Sequence, residues 1–339
     1  MLTRPRALAL ASLGVLLTSS ALLAQPKAQA RTLSGDEKKE LAAMSAILNA
    51  SQPAGNDLGL TWVGSDVIKA QGSKEYVPFT VGLDPSKLTS GKASLYWRVV
   101  ARDAAAPDPK AKKDGTPAPQ YAYENLHTLN LQGRQPGPLR ISRSFVVAPG
   151  SYDVYVVVKE PDPKKKGEAA RVGVVRQAMT VPDLWNSELA TSSVIVAERI
   201  DPLPAPLTAT EQEERPYALG SMEIVPAASV KFSKKQELSV FLLIYNARMN
   251  EASGPDVTVE YNFYSVQNGA EKFFNKTNPQ ALNAQTLPPG FDVAAGMTNG
   301  QTVPLASFPE GDYRLEIKVT DKLATRSLTR DVKFSVSGS

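Results

Sequence analysis

The chain of 339 residues contains no cysteine and a single histidine, His127. Without cysteine it has no disulfide, iron–sulfur cluster, cysteine-ligated zinc or thiol nucleophile. With one histidine, a Ser-His-Asp triad or a histidine metal site would have to use His127. A G-x-S-x-G elbow, a phosphate-binding loop and an H-E-x-x-H helix are also missing. Long apolar runs are scarce. Beyond the first 30 residues nothing approaches the ~20 apolar residues of a membrane span, and the best stretch, 238–245 (LSVFLLIY), has the length of a buried strand. Proline is plentiful, at 26 residues, which disfavours long helices and suits short strands with stiff connections. These absences lead to the expectation of no enzyme activity, no catalytic residue, no cofactor and no metal. A carboxylate pair for glycoside hydrolysis is a three-dimensional feature, and none of the 34 acidic residues is singled out by position.

Residues 1–30 read as a secretory signal. Arg4 and Arg6 form a basic start, residues 7–24 are largely apolar, and Ala28-Gln29-Ala30 supplies a small-residue cleavage site. Thr18, Ser19 and Ser20 dilute the apolar stretch, which favours cleavage over retention as an anchor, and no cysteine is present to carry a lipid. The mature chain is then expected to begin at Arg31. Three of the 38 basic residues (Arg4, Arg6 and Lys27) belong to the signal. That leaves 35 basic against 34 acidic groups, so the apparent +4 becomes +1. A nucleic-acid partner is therefore not expected. Export without cysteine points to a bacterial protein, secreted or periplasmic, since exported animal domains of this size lean on disulfides.

The next segment, 31–55, holds a helix. Ser34 and Glu37 have capping-box spacing, and Leu41, Met44, Ile47 and Leu48 share one helical face. From residue 56 the period changes to two. Residues 93–101 place Ala93, Leu95, Trp97, Val99 and Ala101 on one side, and 257–265 do the same with Val257, Val259, Tyr261 and Phe263. Similar runs at 76–83, 121–131, 141–147, 152–159, 171–181, 221–225, 238–245, 313–319 and 328–336 are broken by Pro, Gly and Asp, the pattern of antiparallel β-sandwiches.

An internal repeat sharpens this. Gly150-Ser151-Tyr152 through Glu160 and Gly311-Asp312-Tyr313 through Asp321 both read G-x-Y-x-apolar-x-apolar-x-Val-x-acid, 161 residues apart. The Trp97 and Tyr261 strands are offset by 164, and Lys74-Glu75 and Gln236-Glu237, each preceding a strand, by 162. Ordered, near-constant offsets imply two copies of one domain. Tyr152 and Tyr313 stand where an immunoglobulin-like fold places its tyrosine corner. The expected fold is mainly β, with two tandem immunoglobulin-like or fibronectin III-like sandwiches at 56–183 and 218–339. Between them, 184–217 reads as a Pro-rich connection around Asp201-Pro202-Leu203-Pro204-Ala205-Pro206 and the acidic residues Glu211, Glu213 and Glu214.

From about residue 180, several segments resemble a domain found at the C-terminus of secreted bacterial von Willebrand A-related and GWxTD-motif proteins. They are Val181-Pro182-Asp183, Leu189 to Ala197, Gly220 to Pro226, Ile244-Tyr245-Asn246, Val257 to Tyr264 and Leu305 to Glu316. The resemblance covers a little under half of the chain. It implies an exported β-sandwich and transfers no activity, because neither a GWxTD string nor a D-x-S-x-S metal-adhesion motif is present.

Candidate ligand contacts follow from residue type. Tyr121, Tyr123 and His127 share a strand face if the alternation holds, and Phe273 or Phe274 is free to stack on a sugar. Two loops start Pro-Asp-Pro-Lys and contain Lys112 and Lys165; they offer cations but fall at opposite ends of such a sandwich. The functional expectation is an exported, non-enzymatic binding or scaffolding module of the bacterial envelope, with an envelope protein or cell-wall polymer as partner. Its rivals are a carbohydrate- or cell-wall-binding module and a hydrolase with carboxylates in the cleft between the domains.

Overall fold

The computed structural model describes residues 33–50, 55–102, 121–132, 137–163, 165, 167–251, 254–288 and 291–338. The expected signal segment and Lys112 lie outside them. The fold is mainly β, and the described residues form two compact units. One runs to Asp183 and includes Glu213–Pro216; the other comprises Leu184–Gln212 and the chain from Tyr217 onward.

The first unit contains helix α1 (Gly35–Asn49) and strands β1 (Thr61–Ser65), β2 (Ile68–Lys69), β3 (Glu75–Leu83) and β4 (Lys92–Ala101). Strands β5 (Tyr123–Asn130), β6 (Leu139–Val147), β7 (Gly150–Lys159) and β8 (Val172–Val181) follow. In one sheet β3 pairs with β1, β2 and β6; the other has the order β5-β4-β7-β8, and every pair is antiparallel. Alternation decides the faces. Ala93, Leu95, Trp97 and Val99 of β4 point into the sandwich and are almost fully buried. There the Trp97 ring meets Phe79 of the opposite sheet edge-on at 6.0 Å, and its indole N–H donates to the Ser144 carbonyl at 3.2 Å.

The other face of β4 is also buried, which alternation alone would leave in water. Helix α1 covers it. Met44, with no exposed surface, packs with Tyr96, Leu126 and Val157, and Leu41, Ile47 and Leu48 support it. The Ser34–Glu37 capping box is formed at the start of the helix. Lys159 reaches Glu40 at 3.4 Å, and Arg98 donates to the Asn49 side chain at 3.0 Å. The last turn of α1 has no basic residue of its own, so Arg98 supplies the cation that the negative end of the helix dipole favours.

The second unit holds β9 (Ala190–Thr191), β10 (Ile195–Pro202), β11 (Ala218–Leu219), β12 (Met222–Pro226), β13 (Lys231–Ser233) and β14 (Glu237–Tyr245). Strands β15 (Asp256–Gln267), β16 (Ala270–Lys276), β17 (Gln280–Asn283), β18 (Met297–Pro304), β19 (Gly311–Asp321) and β20 (Arg326–Ser337) complete it. The sheet orders are β11-β12-β10-β14-β18, with β9 also on β14, and β13-β20-β19-β15-β16, with β17 also on β15. The short β13 runs parallel to β20, and the other pairs are antiparallel. The inner faces of both sheets share one core, in which Phe263, Phe308, Tyr313 and Phe334 pack ring against ring.

The reading of 184–217 as a connection needs correction. Ile195 and Ala197 are buried and β10 pairs with both β12 and β14, so Ile195–Pro202 of this segment is a strand of the second sandwich. Pro202 closes that strand at its end, where a missing N–H is tolerated. The acidic stretch forms a short helix, α2 (Ala209–Glu214), whose Thr208 and Glu211 exchange capping bonds.

The sheets preserve the repeat residue for residue. Tyr96 lies opposite Val157 in β4–β7, and their repeat mates Glu260 and Lys318 lie opposite each other in β15–β19. Both tyrosine corners are closed: Tyr152 donates to the Ala148 carbonyl at 2.8 Å and Tyr313 to the Pro309 carbonyl at 2.7 Å, each four residues back. The glycine before each corner has positive φ, +157° at Gly150 and +145° at Gly311, so a Cβ is disfavoured at Gly311 in particular.

Candidate functional site

The acid that ends each repeat motif ties down the loop after the matching strand of its copy, β3 in the first unit and β14 in the second. Glu160 accepts the N–H groups of Thr89 and Ser90, both at 2.6 Å, and the Thr89 hydroxyl at 2.7 Å. Its mate Asp321, 1% exposed, accepts the N–H of Arg248 at 2.7 Å and of Ala324 at 3.0 Å. In the second unit this anchorage frames a cleft of about 620 Å³. Three segments line it: Ser187–Leu189, Asn246–Arg248, and the end of β19 with the following turn to Arg326.

The cleft is built on constrained backbone. Ser187 (φ +63°), Asn246 (φ +60°) and Thr325 (φ +54°) adopt the left-handed conformation; the first two line the cleft, and Thr325 lies between its lining residues Ala324 and Arg326. Such a conformation costs about 1–2 kcal/mol for a residue with a Cβ, and most for a β-branched one such as Thr325. Asn246 offsets this by donating its side-chain amide to the carbonyls of Leu184 and Glu188, both at 2.9 Å. Arg326 approaches Glu188 at 3.5 Å, an ion pair exposed on both sides. The Arg248 side chain is exposed, and among the described residues its guanidinium has no partner.

The lining offers two cations, Arg248 and Arg326, one exposed carboxylate, Glu188, and positioned backbone. Both oxygens of Asp321 are engaged by main-chain N–H groups, and the lining contains no histidine. Among the described residues no group of three or more His, Asp or Glu is placed to hold a metal, and no helix is long and apolar enough to cross a membrane.

Of the residues singled out from sequence, Tyr123 and His127 share a face and the other described ones lie apart from it. Tyr123 and His127 turn inward against Trp97, at centroid distances of 6.4 and 5.2 Å. Tyr123 also packs on Phe145, and burial raises its pKa above the usual phenol value. The imidazole of His127 lies 3.6 Å from Glu213. Tyr121 precedes β5 and does not join that face. It binds Arg98 through its hydroxyl (2.9 Å) and its ring (4.7 Å). Tyr121 and Tyr123 thus form no common platform. Phe273 is 53% exposed and meets Tyr264 edge-on, whereas Phe274 turns into the core against Phe308. Lys165 pairs with Glu168 at 2.8 Å on an exposed loop. The cleft residues escaped notice because none is unusual by type, and they come from segments more than 50 residues apart. The recurring terminal acid of the repeat was the available signal.

No family model matches the chain, and no curated protein matches it. Among solved structures the chain is similar to dimeric latent PorU from Porphyromonas gingivalis, with 10% identity and a TM-score of 0.31 over 83% of this chain and 20% of that one. It is also similar to Salmonella alpha-2-macroglobulin, as the Y1175G mutant (12% identity, TM-score 0.21) and as the form reacted with methylamine (14%, 0.21). The chain spans about a fifth of the length of these proteins.

Proposed function

We propose that the protein is an exported, non-enzymatic binding module of the bacterial envelope that engages its partner through the cleft of the second sandwich. The observation behind this reading is the cleft itself, where Arg248 presents an unengaged charge on a loop held by Asp321, the buried acid of the lining, whose own oxygens are both taken by main-chain N–H groups. Binding residues are concentrated on loops carried by a rigid scaffold, and the lining of the cleft has that character. The signal-like N-terminus and the resemblance of the second half to a domain of secreted proteins support the compartment. The test is a pulldown with the mature chain from envelope extract, with purified cell-wall polymer as a parallel bait. Recovery of a saturable partner from either bait is expected; recovery of neither overturns the reading.

A carbohydrate-binding alternative draws on Phe273, which is half-exposed beside Tyr264 on the outer face of β15 and β16. A single ring gives it less support than the cleft gives the first reading. Loss of polymer binding in Phe273→Ala, with Arg248→Gln unaffected, would favour it.

A further inference from the structure

We propose that the cleft takes the free carboxylate of a short peptide ending in a small aliphatic residue. This rests on the binding-module reading and narrows it to a ligand class. A guanidinium is a planar fork that matches a carboxylate bidentately. Arg248 presents one from a loop whose main chain is fixed by Asp321, and that side chain has no partner among the described residues. Arg326 presents a second.

The two acids in the lining do not oppose such a ligand. Asp321 is turned to the N–H groups of Arg248 and Ala324. The Glu188 carboxylate, 3.5 Å from Arg326 and well exposed, occupies the place that an incoming carboxylate would take. An exposed pair of this kind contributes little stability, so its exchange for a ligand carboxylate is easy. The remaining surface is Leu189, Ala247 and Ala324, which suits a methyl-sized side chain. With no ring in the lining there is no stacking surface for a sugar. The volume is in the range of small-ligand pockets.

This chemistry occurs at protein C-termini, with L-residues, and in the short peptides of bacterial cell wall, with terminal D-alanine. The experiment is calorimetric titration of the full mature chain with N-acetyl-L-Ala-L-Ala, N-acetyl-D-Ala-D-Ala and the C-terminal amides of both. At least one free acid should bind saturably and at least about tenfold more tightly than its amide. The enantiomer preferred then identifies the source. Arg248→Gln combined with Arg326→Gln should lower that affinity about tenfold or more, and Glu188→Gln should raise it a few-fold. Both arginines are exposed and the Arg248 main-chain bond is kept, so an unchanged melting curve is expected and serves as the folding control. Equal binding of acid and amide, unchanged affinity in the arginine variant, or no binding of either acid up to about 10 mM overturns the proposal. If the envelope pulldown still recovers a partner, the ligand class falls while the binding-module reading stands.

Discussion

At the scale of single residues, the repeat assigns like jobs to like positions. Tyr152 and Tyr313 close corners with bonds of nearly equal length, and Glu160 and Asp321 hold the loops after β3 and β14. One pair is inverted. Asp153 sits between two cations, Arg102 and Arg176, whereas its mate Arg314 sits among three acids, Glu271, Glu316 and Asp331, so the signs are exchanged between the copies. Tyr152→Phe and Tyr313→Phe should each cost about 1–2 kcal/mol in urea unfolding, with effects that add because they share no partner; changes below about 0.3 kcal/mol would contradict the corner assignment. Hydrogen bonds from Arg176 and then Arg102 hold the Asp153 carboxyl below its usual range. A depressed folded value means that the group stabilises the fold above its unfolded value of about 3.9, and that this is lost as pH falls through the depressed value. Asp153→Asn should therefore be less stable than the parent at neutral pH, with the gap closing in acid; a gap constant down to pH ~2 would contradict this. The acid's recurrence could be read from the sequence. Its folding back onto an earlier loop could not, because the loops share no motif.

Among elements, visibility depended on which residues face inward. β4 and β15 announce themselves by apolar alternation. β18 does not, although every second residue from Met297 to Val303 is buried, because Asn299 and Gln301 occupy two of those positions. They join a buried network in which the Tyr261 hydroxyl donates to Asn299, Asn299 to Gln280 (2.8 Å), and Gln280 to Gln301 (2.8 Å). Asn299→Ala strands the Tyr261 hydroxyl and should cost about 1–3 kcal/mol; a neutral result would deny the network its role. The place of α1 also follows from side chains. Tyr96 and Val157 make an apolar strip that needs a cover, whereas Glu260 and Lys318 at the same positions of the second copy pair at 3.9 Å in water. Met44→Asp should release the helix, raising hydrogen exchange in β4 and β7 and dye binding while the strand signal in circular dichroism persists. Unchanged exchange would mean that α1 is held by its polar contacts alone.

For the whole molecule, the two-sandwich architecture was legible because a period of two, turn residues and a constant offset all act over long stretches. The candidate site was not, because the cleft assembles three loop segments with no periodicity and no distinctive residue types. The expected aromatic face failed for a related reason: Tyr123 and His127 found the core and Tyr121 found Arg98, so polar tips that look available in sequence were already engaged. The near-neutral charge expected once the signal-like segment is removed fits short-range recognition at a small site better than a broad electrostatic surface. The most direct test of that claim is the envelope pulldown carried out in parallel with the intact mature chain and with the Arg248→Gln/Arg326→Gln variant. A partner retained by the parent and lost from the variant is expected, with equal melting curves for the two proteins. Equal recovery by both would contradict the cleft as the binding site.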